Sequence, residues 1–96
     1  NLAEAGRLCR QLIENSMGEE AVRVAMVVDE SLVVGDVSKS IFFLPDTKRK
    51  VASVTGDADL MKEAVELYRG LPPNKLRDGK LAKACRLLKM LQSKHN

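Results

Sequence analysis

Three features of the sequence predict an α+β domain: amphipathic helical stripes at both ends of the chain, a sharp change of composition between them, and alternation of apolar and polar residues in that middle region. Residues 17–58 hold nine of the ten valines but only two of the thirteen leucines, whereas the flanks are rich in Leu and Ala. Branched side chains lose rotamer freedom in a helix and pack well on a pleated surface, so this shift favours strands. The expected architecture is an N-terminal helix, a short antiparallel β segment in the Val-rich middle, and two C-terminal helices packed on it.

The first helix is expected over residues 2–14. Leu2, Ala5, Leu8, Cys9, Leu12 and Ile13 recur at helical spacing, with Glu4, Arg7, Gln11 and Glu14 opposite them. Asn15 and Ser16 end it. In the middle, "VRVAMVV" puts Val22, Val24, Met26 and Val28 on one face of a strand. The stretch "IFFLPDTKRKVASV" reads as two strands joined by a polar turn, with Pro45 and Asp46 as turn formers. A second clear helix is expected over 58–70, capped by Asp57, with Leu60, Ala64, Leu67, Tyr68 and Leu71 as its stripe and Gly70 and Pro72-Pro73 as its stop. The last is expected over about 80–93, after a preliminary turn at 74–78, with Leu81, Ala84, Cys85, Leu88 and Leu91 as its buried row.

An all-α bundle of five or six helices is the alternative. Ser16 with Glu19 fits a capping box, Gly35 fits a helix stop, and Asp36, Asp46 and Asp57 each fit the start of a short helix. Against this stands the middle segment itself. A helix over 19–34 would carry Val22, Met26, Val27, Val33 and Val34 on its polar side and would need burial nearly all round.

Ninety-six residues with 45% apolar and 30% charged side chains make one small globular domain. No initiating Met is present, so the chain reads as a domain excised from a longer protein. No apolar run approaches the ~18 residues of a membrane span, and no signal peptide is apparent, so no membrane partner is expected. Cys9 and Cys85 fall on apolar stripes and lack ligand spacing, so they read as free thiols in a reducing, intracellular compartment, cytoplasmic or nuclear. His95 is the only histidine; neither a zinc site nor any other cofactor is expected.

Catalysis needs groups tuned by a partner, and the sequence offers none that stands out. The acidic pairs Glu19-Glu20, Asp29-Glu30 and Asp57 with Asp59 suit capping and solubility. The six glycines form no phosphate-binding motif, although Gly79-Lys80 at an expected helix start would be a generic anion seat. No enzymatic role is expected.

Charge is the remaining lead. Residues 1–45 hold four bases and seven acids, whereas residues 46–96 hold twelve bases and six acids. Lys48, Arg49 and Lys50 cluster at the presumed hairpin tip, and Lys80, Lys83, Arg86 and Lys89 lie on or beside the outer face of the last helix. Brought to one side, these seven would neutralise several phosphates of DNA or RNA. Phe42, Phe43 and Tyr68 are the only aromatics and suit the core, so contact would be to backbone rather than to stacked bases. The expected function is therefore a non-catalytic binding module docking an anionic partner, nucleic acid first. The alternative is a protein-interaction or oligomerisation domain that uses the same cations on an acidic protein surface, with Met90 as apolar anchor.

Overall fold

The computed structural model describes residues 2–31 and 41–94, which form five helices: α1 (Leu2–Glu14), α2 (Gly18–Ser31), α3 (Phe43–Thr55), α4 (Ala58–Arg69) and α5 (Lys75–Lys94). Among these residues there is no strand. The α+β expectation is therefore corrected, and the all-helical alternative fits. Val33, Val34, Gly35, Asp36 and His95, which entered the sequence reading, lie outside the described residues.

The physical reason for the correction lies in the alanines. α2 turns Ala21 and Ala25, spaced by four, fully into the core, and leaves Met26 and Val27 45% and 64% exposed. A helix that packs closely through alanines need bury its valines only in part, as with Val22 and Val24, so composition was overridden by tertiary contact. In α3, Pro45 sits in the first turn, where its missing N–H would have no intrahelical acceptor. The Asp46 N–H then makes a helical bond to the Phe42 carbonyl at 2.8 Å. The Pro-Asp pair that reads as a turn in sequence is a helix start.

The helix ends follow local chemistry. Ser16, at φ 61°, closes α1: its N–H reaches the Ile13 carbonyl and the Met17 N–H reaches Leu12, a paired bond pattern that satisfies two otherwise free carbonyls. Gly56, at φ 73°, ends α3 in the same left-handed region, where glycine carries no steric penalty. Asp57 follows at once and caps α4 by accepting the Leu60 N–H at 3.0 Å. After Pro72-Pro73, the Asn74 side chain accepts the Arg77 N–H at 2.8 Å and starts α5 at Lys75, five residues before the expected start. Gly79 is thus inside a helix, so Gly79-Lys80 forms neither a plain turn before a helix nor a generic anion seat at a helix start.

Helices pack in chain order: α1 on α2, α2 on α3, α3 on α4, α4 on α5, with a smaller α1–α3 contact. The result is a flat array with extents of 43 × 33 × 16 Å. Since packed helix axes lie about 8–10 Å apart, 16 Å is the thickness of two layers. α3 divides the core. Val51 joins Cys9 and Ala21 under α1 and α2, while the next residue, Ala52, joins Met61, Ala64, Tyr68, Ala84 and Leu91 under α4 and α5. Consecutive residues point about 100° apart on a helix, so one helix serves both cores. Gly18 permits the α2–α3 approach, since a Cβ there would lie 2.7 Å from Val51 Cγ1. α5, last in the array, rests chiefly on α4, and its other side is open.

Candidate functional site

Lys48, Arg49 and Lys50 do not form a hairpin-tip cluster, because consecutive residues on α3 diverge. Lys48 reaches α4 and pairs with Glu63 at 3.0 Å, its side chain only 12% exposed. Arg49 points into the α3–α4 seam, where its Nε donates to the Tyr68 hydroxyl at 3.2 Å. Lys50 is exposed and turns toward α1, lining a groove with Cys9 and Arg10. Cys9 is buried, Cys85 half-buried, and both are free. Burial pushes the Cys9 thiol up, Lys50 opposing the shift, and its Sγ donates weakly to the Ala21 carbonyl at 3.5 Å. This is a packing thiol.

Lys80 is also engaged internally. Its Nζ lies 2.8 Å from Asp46 Oδ2 and 5.1 Å above the Phe42 ring. Asp46 Oδ1 accepts the Tyr68 hydroxyl and lies 3.9 Å from an Arg49 nitrogen. One carboxylate thereby joins side chains of α3, α4 and α5. Nearby, Arg77 donates to the Tyr68 carbonyl at the end of α4 and pairs with Asp78 at 2.9 Å. These bonds hold α5 in place and remove Arg49 and Lys80 from any external surface.

Tyr68 makes the network sensitive to alkali. Burial pushes its hydroxyl well above the ordinary value of 10.0, and the bond to Asp46 raises it further against the opposing influence of Arg49. The folded chain therefore keeps a proton that the unfolded chain releases above about pH 10. The stabilisation is fully present below that pH and is lost as pH rises toward the folded value. Thermal melts between about pH 8 and 11 should show the midpoint falling steeply at the upper end, with part of that slope absent in Tyr68→Phe. An identical slope in the variant would remove Tyr68 as its source.

What remains outside is the far face of α5. Lys83, Arg86 and Lys89 are exposed there, with no ion pair among the described residues. Leu76 and Met90 are 60% and 57% exposed, and with Lys83 they stand seven residues apart, two helical turns, along one line of the helix. Comparison of the chain with models of protein families, with curated proteins and with solved structures finds no match to any of them. Among the described residues, no three metal-ligating side chains come together, and no helix is long and apolar enough to cross a membrane.

The sequence places Lys83, Arg86 and Met90 on the outer face of the last helix and Lys80 and Lys89 beside its buried row; Lys83, Arg86, Lys89 and Met90 are exposed together. Lys48, Arg49, Lys50 and Lys80 do not join them. Leu76 was missed because it falls in the stretch read as a preliminary turn. The signal was present: Asn74 after two prolines is a helix-start pattern, and it brings Leu76 into register with Met90. The face is a line of exposed apolar side chains, Leu76 and Met90, among the unpaired cations Lys83, Arg86 and Lys89.

Proposed function

We propose that this domain is a protein-interaction module whose α5 docks an acidic amphipathic helix of a protein partner. The observation that carries the reading is the exposure of Leu76 and Met90 on either side of Lys83, on a helix with seven bases and one acid. Apolar anchors ringed by charge are the layout of helix-on-helix recognition, where the anchors contribute affinity and the charges orient the partner. A phosphate backbone would gain nothing from the two apolar side chains. The internal pairing of Lys48, Arg49 and Lys80 also leaves fewer cations for it. The two free thiols suit a reducing compartment within the cell.

The test is fluorescence anisotropy with a labelled helical peptide carrying leucines at heptad spacing among glutamates, alongside generic duplex RNA and DNA. The peptide should bind. Leu76→Ala with Met90→Ala should weaken it about tenfold or more, and Lys83→Glu with Arg86→Glu should abolish it with the far-ultraviolet circular dichroism unchanged. Duplex binding that matches the peptide, falls steeply with salt and ignores the alanine pair would make the face a phosphate surface instead.

A further inference from the structure

We infer that the acidic helix received by α5 is α2 of a second copy, so that the domain associates head to tail; this rests on the reading of α5 as a protein-docking face. α2 carries Glu19, Glu20, Asp29 and Glu30 against the single base Arg23, which pairs with Glu19 and Glu20 on its own helix. Its outer face also shows two apolar side chains, Met26 at 45% and Val27 at 64% exposure. By helical geometry these two flank the line of Glu19 and Glu30. α5 presents the converse: Leu76 and Met90 with Lys83 and Arg86 around them. Each face therefore holds what the other lacks in charge, and both offer apolar side chains to cover.

The dimensions agree. A helix of 14 residues spans roughly 21 Å, and the 15 residues from Leu76 to Met90 cover roughly the same length, while the neighbouring Met26 and Val27 supply an apolar contact for one of the two anchors. The placement agrees as well. α2 packs on α1 and α3, whereas α5 packs on α4, so neither outer face is used by the other within one chain. Unless a twofold axis lets both faces of each chain engage at once, a contact between two different faces of identical chains does not close on itself at two copies. It leaves an α2 face free at one end and an α5 face at the other, ready to add a further copy. The domain is a link that extends rather than a self-complementary pair.

Sedimentation velocity over a range of concentrations tests this on the chain as it is. The weight-average mass should climb from the 10.6 kDa of one chain past twice that value, and should fall back when the salt is raised several-fold. Two variants separate the faces: Lys83→Glu with Arg86→Glu blocks α5, and Met26→Ser with Val27→Ser blocks α2, each altering only exposed positions. Each variant alone should stay a single chain. Mixed in equal amounts they should give a species of two chains and none larger, because one intact α2 face meets one intact α5 face. A wild-type chain that stays single at millimolar concentration overturns the inference, as does a mixture that stays single. Continued association of the α2 variant alone overturns it too. The acidic peptide keeps this outcome apart from the reading beneath it: a single chain that still binds the peptide loses only the self-association, and one that does not bind it loses both.

Discussion

Replacing Asp46 with alanine should lower stability by about 2 to 3 kcal/mol, the range for hydrogen bonds to a charged group whose partners stay behind. Among the described residues Asp46 is the only carboxylate that pairs with Lys80, and it also accepts the Tyr68 hydroxyl. Its removal leaves two cations, Arg49 and Lys80, around a wholly buried phenol that has lost its acceptor. Those cations are only 12% and 24% exposed, so water compensates poorly. For a domain of this size the thermal midpoint should fall by roughly 10 °C or more. Asp46→Asn retains an acceptor for the phenol and removes only the charge, so its loss should be roughly half as large. Urea unfolding of the two variants decides the matter. A loss in Asp46→Ala below about 0.5 kcal/mol would mean that the network is ornamental and that α5 is held by apolar packing alone.

That network also shows where reading by sequence succeeds and where it stops. The spans of α1 and α4 were legible because each has an apolar stripe and local end signals, Asn15-Ser16 for one and Asp57 with the Gly-Leu-Pro-Pro run for the other, although Leu2 and Leu8 of the first stripe are exposed and the buried Met61 and Val65 lay outside the second. α2 and α3 were not, because their valines advertise strands while the contacts that decide the fold run through Ala21, Ala25 and Ala52, each wholly buried. Alanine carries little weight in an apolar pattern, yet it sets how closely two helices approach. The site divides in the same way. Lys83, Arg86, Lys89 and Met90 follow from periodicity alone. The engagement of Arg49 and Lys80 depends on one aspartate and on a tyrosine 22 positions from it, a meeting that only the helix order brings about. A run such as Lys48-Arg49-Lys50 is a patch on a loop and three separate directions on a helix.

Met61→Ala should be the most damaging single truncation in the α3–α4–α5 core. Met61 and Tyr68 are the largest wholly buried side chains, and three of the six buried residues clustered with Met61, namely Ala52, Ala64 and Ala84, are alanines that cannot extend into vacated space. Truncating a buried methionine to alanine costs about 2 to 5 kcal/mol, with the upper end reached where neighbours cannot collapse. Against the roughly 5 to 15 kcal/mol of a typical domain, this is a large fraction. Its reach depends on α3. Val51 and Ala52 belong to different cores on successive residues, and Leu60 packs against both. Loosening one core therefore tilts the helix on which the other is built. Native-state hydrogen exchange should show α1 and α5 losing protection together, by similar factors, as expected of one cooperative unit. Loss confined to α4 and α5 would divide the domain at α3 into two units, and the docking helix would then belong to a part that opens without disturbing α1 and α2.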